Sequence, residues 1–212
     1  MAGAIPSIAC LGVIGRNNNP LHISIFPSYD SHSNARAHPL RTPLQFSLLL
    51  SSTLDAFEAR ARHAAASGPG TMLSGDYGLL HAVDERLAAY GFETNTGVKF
   101  VAVVDMRGRP GRGSGPVVAG GGGGVTAAAA AAAAAAGSVG AVGGGVGLRE
   151  GELKPVFRAM QTAYVRLLQN PFYDPDEHAP LDGRGGKQIT SRRFSQEMRR
   201  IGEGWAPGVA SL

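Results

Sequence analysis

Residues 98 to 105, Val98-Lys-Phe-Val-Ala-Val-Val-Asp105 (VKFVAVVD), decide the fold. The run is rich in β-branched and aromatic residues, and both of its alternating sets of side chains are apolar apart from Lys99 at its start. A strand with two apolar faces is covered on both sides of its sheet. The run therefore predicts a central strand with helices packed on each face.

Four further strands are predicted around this one, at residues 7–15 (SIACLGVIG), 21–26 (LHISIF), 77–83 and 87–94. The first of them is again apolar on both alternating sets, which are Ile8, Cys10, Ile14 and Ala9, Leu11, Val13. Its turn-forming continuation RNNNP predicts a hairpin with the second strand. Residues 27–42 are polar and contain Asn, His and Pro, which predicts a loop.

Three helices complete the pattern. The first is predicted to be capped by Thr42, with Pro43 at its first position, and to end near residues 67–70 (SGPG). The second is predicted from about residue 149 to residue 169, and the third follows Ser191 and ends at Gly202 to Gly204. The order ββαβββαα favours an α/β (α+β) fold in which helices cover both sides of a small antiparallel sheet.

A Gly/Ala-rich segment interrupts this order. Fifteen of the 31 glycines and a run of ten alanines lie between residues 107 and 147. Glycine loses too much conformational freedom to stay ordered without packing, so we expect a disordered insertion. Residues 1–106 and 148–204 then form a single domain, and residues 205–212 form a tail.

The charge of the chain is modestly positive, at +4 with a pI of about 9.6. Three arginines, Arg107, Arg109 and Arg112, fall at the start of the predicted insertion, so the rest is close to neutral. We therefore expect no basic face and no nucleic-acid partner. The four arginines at positions 192, 193, 199 and 200 are interpreted as a solvated helix face, with an acidic partner or a lipid surface as the alternative.

Chemistry-bearing motifs are sparse. The single cysteine, Cys10, and six histidines without ligand spacing predict no metal site. The Gly-Gly-Lys at residues 185–187 lacks the first glycine and the hydroxyl residue of a phosphate loop. We expect no catalytic residue, no cofactor, no secretory signal and no transmembrane segment.

At this point four stretches resemble a known family: FSLLLSSTLDAFE (46–58), YGFETNTGVKFVAVVD (90–105), FRAMQTAY (157–164) and NPFYDP (170–175). Together they resemble the sedlin branch of the longin-like fold. The resemblance implies a five-stranded antiparallel sheet with one helix on one face and two on the other. It also implies membership of the TRAPP complex, which tethers vesicles and promotes nucleotide exchange on Rab-type GTPases in ER-to-Golgi and Golgi transport.

Within that complex, the resemblance implies a non-catalytic adaptor that binds other TRAPP subunits, and meets Rab-type GTPases and vesicle membranes indirectly. Its location would be cytoplasmic and peripheral at Golgi or ER-Golgi membranes. Two alternatives stay open: a paralogous subunit of the same family, and a longin-type regulatory domain associated with a SNARE or a coat. A SNARE needs a long heptad helix and a membrane anchor, and the sequence shows neither.

Three residues are predicted to bind partners. Asp55 lies in the first helix, where the family pattern also has an aspartate. Its alternatives are a hydrogen bond that fixes the neighbouring loop and a solvated helix position. Phe172 and Tyr173 belong to an Asn-Pro-Phe-Tyr step, which also satisfies a short motif bound by phosphotyrosine-binding-type domains. The alternative there is a helix stop whose two aromatic rings pack back on the sheet.

Overall fold

The structure is a computed structural model and describes residues 5–30, 35–66, 75–109, 148, 151–180 and 186–212. The predicted insertion lies outside these residues except for positions 107–109. The described elements are β1 (Ile5–Ile14), β2 (Pro20–Ile25), β3 (Ser28–Asp30), β4 (Ala35–His38), α1 (Pro43–Ala66), β5 (Asp76–Ala82), β6 (Leu87–Glu93), β7 (Lys99–Arg109), α2 (Lys154–Leu168), α3 (Pro175–His178) and α4 (Arg192–Gly204).

The main sheet has five strands in the order β2-β1-β7-β6-β5, and every neighbouring pair is antiparallel. Strand β7, which contains most of VKFVAVVD, lies at its centre. Its residues alternate between two cores, with Phe100, Ala102 and Val104 on one side and Val101 and Val103 on the other. Helix α1 covers the second side, and α2 and α4 cover the first. The predicted fold class is confirmed.

The facing of β1 differs from the predicted alternation because the strand contains a bulge between Ile8 and Cys10. A bulge inserts one extra residue and reverses the facing of the residues after it. Ile8 therefore joins Leu11 and Val13 in the α2/α4 core, while Ala9 joins Cys10 in the core under α1. The residues are buried as predicted, but the two sets are divided differently.

Helix α1 lies unusually close to the sheet because two strands present glycine beneath it. A Cβ atom added at Gly12 would lie 2.7 Å from both Cδ atoms of Leu50, and one added at Gly91 would lie 2.5 Å from Cζ of Phe57. Both partners are buried side chains of α1. Because glycine has no side chain at these positions of β1 and β6, α1 can pack closely against the sheet.

Two of the three predicted helix starts are confirmed by their caps, whereas the second helix, predicted from about residue 149, begins at Lys154 without a side-chain cap. The backbone N–H of Thr42 donates to Oε1 of Gln45 at 2.9 Å, and the N–H of Gln45 donates to the Thr42 hydroxyl at 3.3 Å, which is a reciprocal capping box. At α4 the Ser191 hydroxyl accepts from the N–H of Phe194 at 3.4 Å.

Three further predictions are wrong. Strand β7 continues to Arg109, so residues 107–109 belong to the sheet and not to an insertion. Residues 28–30 and 35–38, predicted as loop, form the β3–β4 hairpin. Trp205, predicted to begin a tail, is fully buried, and its Nε1 donates to the carbonyl of Glu152 at 3.2 Å. The folded unit therefore extends past residue 204.

Candidate interaction surfaces

The outer face of α1 exposes large apolar side chains. Leu44 is 70% exposed and Leu48 is 62% exposed, and Ser51 and Asp55 follow them at helical spacing. These four residues lie on one side of the helix, opposite its buried positions, and are called the α1 stripe. Two large apolar side chains exposed one helical turn apart make this stripe a candidate surface for binding another molecule.

Asp55 lies on the outer side of α1, and its side chain is exposed. On the described part of α1 the acids Asp55 and Glu58 are balanced by Arg60 and Arg62, so the α1 side has little net charge. Its recognition chemistry is therefore apolar and hydroxyl-rich, with Asp55 as a polar point beside the leucines.

The Asn170 to Tyr173 step forms a tight turn directly after α2. The Asn170 side-chain oxygen accepts from the N–H of Phe172 at 3.2 Å, and the Asn170 carbonyl accepts from the N–H of Tyr173 at 3.0 Å. This turn directs the two aromatic rings differently. Tyr173 is half-buried and stacks on His178 with ring centroids 4.6 Å apart, whereas Phe172 is 95% exposed.

Burial raises the pKa of Tyr173, whose hydroxyl lies beside that of Tyr164. The alternative that both rings pack back on the sheet therefore holds for Tyr173 alone. Because Tyr173 packs against the core under α2 and α4 while α1 covers the other side of the sheet, Asp55 and Phe172 lie on opposite faces. The three predicted partner-binding residues do not form one surface.

The β1–β2 turn fixes the chain that continues from Tyr173. Arg16 donates to the carbonyl of Ala179 at 2.7 Å, and Asn17 donates to that of Pro180 at 2.7 Å. Asn19 donates to the carbonyl of His178 at 2.9 Å. The polar RNNNP turn thus anchors this connection, so Phe172 is exposed on a stretch of chain that is held in place.

Sequence reasoning missed a buried ionic cluster at one end of the sheet. Asp105 is fully buried and accepts from Nε of Arg86 at 2.8 Å, from Nη2 of Arg86 at 3.0 Å, from the Ser28 hydroxyl and from the N–H of Arg107 at 2.9 Å. Arg86 also donates to the carbonyl of Tyr29 at 2.7 Å.

These bonds hold the β3–β4 hairpin against the end of β7. Both oxygens of the carboxylate are engaged, so the cluster offers no free base or ligand and its role is structural. A signal existed in the sequence: an acid ends the most apolar strand, and an arginine directly precedes Leu87, which pairs with Asp105. The pairing itself depends on strand register, which the sequence pattern did not supply.

The free edge of β5 is covered. Arg60 of α1 donates to the carbonyls of Tyr77 and Leu79, which lie on this edge strand. A charged side chain over edge carbonyls blocks the addition of a further strand. The helix surfaces, and not this edge, are therefore the better candidates for recognition.

The expectation of no basic face is wrong. Helix α2 has Lys154, Arg158 and Arg166 and no acidic residue, and it packs beside α4, which has four arginines and two glutamates. Charge counted along the chain could not show this, because the two helices are separated in sequence and adjacent only in the fold. The count also assigned Arg107 and Arg109 to an insertion, although both lie in β7.

Within the described residues, no group of three or more His, Cys, Asp or Glu side chains is placed to hold a metal ion. Nor is any described helix both long and apolar enough to span a membrane. Burial raises the pKa of the Cys10 thiol, which lies in the core under α1.

Sheet order and helix placement together define a longin-like domain, with one helix on one face and a helix pair on the other. The sedlin family profile matches residues 13–204. The chain belongs to the sedlin family.

Relatives of the same kind come from distant organisms. The chain is 24% identical over 187 residues to the trafficking protein particle complex subunit 2-like protein of Mus musculus, covering 87% of this chain and 89% of that protein. It is 24% identical over 191 residues to the protein of that name from Xenopus tropicalis, covering 89% and 92%. The Dictyostelium discoideum protein is 22% identical over 196 residues, covering 92% and 95%. The predicted family and its association with trafficking are confirmed.

Proposed function

We propose that this chain is a non-catalytic adaptor subunit of a TRAPP complex, acting in ER-to-Golgi and Golgi transport at the cytoplasmic surface of those membranes. Its partners would be other TRAPP subunits, with Rab-type GTPases and vesicle membranes reached through the assembled complex. The similarity to the subunit 2-like proteins, which covers 87% to 92% of this chain, supports this proposal. The observation that carries it is the α1 stripe.

The α1 stripe suits a subunit contact for a physical reason. Leu44 and Leu48 are mostly exposed, and burying a leucine side chain contributes roughly 1.5–3 kcal/mol. Two neighbouring leucines on a rigid helix, seated on Gly12 and Gly91, form a small preorganised apolar centre. Asp55 at its end adds a polar contact that fixes orientation, which is a common role for charge at an interface.

Affinity purification of the tagged chain from its native cell, followed by mass spectrometry, tests the proposal. We expect other TRAPP subunits to dominate the captured set. Asp55→Tyr should reduce their recovery several-fold while helix content stays unchanged by circular dichroism. Asp176→Tyr is the matched control, because it makes the same exchange at an exposed position on the opposite side of the sheet.

The outcomes separate the alternatives. Capture of coat or SNARE proteins in place of TRAPP subunits would favour the longin-type regulatory domain. Capture of TRAPP subunits with equal recovery by Asp55→Tyr and the wild type would leave the adaptor role standing and remove Asp55 from the interface. Turnover of a substrate by the purified chain would contradict the non-catalytic role.

A further inference from the structure

The outward surface of α2 and α4 carries cations that nothing in the described structure neutralises. Both glutamates of α4 are already engaged: Glu197 pairs with Arg200 at 3.1 Å and Glu203 pairs with Arg199 at 3.3 Å. Among the described residues, four arginines on these helices have neither an ion pair nor a hydrogen bond, and all four are exposed. They are Arg158, Arg166, Arg192 and Arg193. Arg158 lines a separate groove together with Asp76, so the name basic face is given to the other three.

The charges of the two helices converge at one end of the layer. Arg166 from the last turns of α2 and Arg193 from the first turn of α4 line the same groove, which has a volume of about 420 Å³. The N-terminus of α4 adds its own partial positive charge at this end. The C-terminus of α2, whose Gln169 and Asn170 line the same groove, offsets that helix-end charge, and Glu197 in the groove is paired with Arg200. The positive charge left at this end is therefore that of the Arg166 and Arg193 side chains.

Apolar side chains project from the same end. Val165 is 44% exposed, Leu168 is 43% exposed and Phe172 is 95% exposed. Phe172 follows the groove-lining Asn170 by two residues, and the anchored turn holds it outward. Three exposed acids follow Phe172 along the chain, and two of them have cationic partners: Asp176 lies 4.0 Å from Arg16 and Glu177 lies 3.0 Å from Lys187. Exposed aromatic and aliphatic side chains at the same end of a layer as unpaired arginines are the combination that binds the surface of an anionic bilayer, where rings enter the interface and cations meet lipid phosphates.

We infer that this end of the α2/α4 layer docks directly on an anionic phospholipid membrane, with Phe172 entering the headgroup boundary and the basic face contacting lipid phosphates. A lipid headgroup layer is a better ligand for the protruding Phe172 ring than an acidic peptide, because the ring can enter that layer without a preformed pocket. The α1 side, with balanced charge, lacks this complementarity. The inference rests on these side chains alone and is independent of TRAPP membership.

Co-sedimentation of the purified full chain with vesicles tests the inference. One vesicle set is pure phosphatidylcholine, and the other contains about one third phosphatidylserine. We expect binding to the anionic vesicles only, with loss at high salt as exposed charges are screened. Each basic residue near an anionic surface changes partitioning roughly fivefold, so Arg166→Gln with Arg193→Gln should lower it by more than about tenfold.

Two further variants make the test specific. Phe172→Ser should weaken anionic-vesicle binding without changing its salt dependence. Arg41→Gln with Arg62→Gln removes the same charge from outside the α2/α4 layer, where both arginines have carboxylate partners, and should change binding little. Circular dichroism of each variant confirms that it is folded.

Three results would overturn the inference. The first is equal binding to both vesicle sets, or binding to neither. The second is an equal loss in the Arg41/Arg62 control, which would show a response to net charge alone. The third is binding of soluble polyglutamate or a DNA duplex through Arg166 and Arg193 with no vesicle binding, which would assign the basic face to a different partner.

Discussion

The two sides of the sheet differ in how they are built and in what they show to solvent. The α1 side is a thin layer in which one helix rests on glycines, over a core of mostly aliphatic residues. The α2/α4 side is thicker and contains aromatic residues such as Phe100, Phe157 and Trp205. Outside, the first side is nearly neutral with bare leucines, and the second is basic.

This difference separates two roles within one small domain. Large aromatic residues anchor the α2/α4 side strongly, so its outer surface can carry uncompensated charge at little risk to the fold. Close backbone contact fixes α1, so its apolar stripe is held rigid for a partner. One longin-like sheet can thus present two chemically unlike surfaces, with TRAPP subunits proposed as the ligand of one and an anionic membrane as the ligand of the other.

The largest expected effect comes from the aromatic side. Trp205→Ala removes a fully buried indole from the α2/α4 core and leaves the carbonyl of Glu152 without its donor. We expect the free energy of unfolding to fall by roughly 3–5 kcal/mol, measured by urea denaturation. A loss below about 1 kcal/mol would show that the last eight residues do form a tail and that the thick core is less important than proposed.

Trp205 is also a residue whose burial the sequence did not predict. The apolar runs and helical stripes predicted the five main strands and three helices, because local periodicity reports burial directly. The division of the helices, with one on one face and two on the other, was implied by the family resemblance. The bulge at Ile8, the Asp105–Arg86 pair and the basic face depend on register and on helices that meet only in the fold. Trp205 follows a Gly-rich helix end, a context that predicts a terminus.

A moderate effect is expected on the α1 side. Gly91→Ala places a Cβ atom against Phe57 of α1 and Leu80 of β5, and overpacking of this kind costs about 1–3 kcal/mol. Gly204→Ala is the matched control, since its added Cβ would lie 3.5 Å from a side-chain carbon of Leu212, an ordinary contact. Equal stability of the two variants would mean that α1 is not seated as closely as described.

Chemical labelling of the Cys10 thiol measures how readily the α1 side opens, without a further mutation. It is buried under α1, and burial raises the pKa of its thiol, so the reactive thiolate is scarcer at neutral pH than for a free cysteine. Slow labelling by a maleimide in the native protein should accelerate in Gly91→Ala if the added Cβ loosens α1. Trp205→Ala should accelerate it only in proportion to global unfolding.

The smallest effect is expected from the segment between the two halves of the domain. Leu148 donates its N–H to the Tyr90 hydroxyl at 3.0 Å, and Tyr90 pairs with Ala102, seven residues before Arg109. The connection from Arg109 to Leu148 must therefore span the length of about seven strand residues, roughly 23 Å. Replacing residues 111–146 by a Gly/Ser linker of about 12 residues satisfies this distance and shortens the loop, which changes its closure entropy by only about 1 kcal/mol.

We expect the midpoint of urea unfolding to shift correspondingly little. A destabilisation above about 2 kcal/mol exceeds the loop-entropy term and would require contacts between the deleted residues and the domain. Cys10 labelling then decides which side they touch. Faster labelling than the stability loss explains would place those contacts over α1, because local opening on that side exposes the thiol before global unfolding does. Labelling that tracks global stability alone would place them on the α2/α4 side or at the sheet ends.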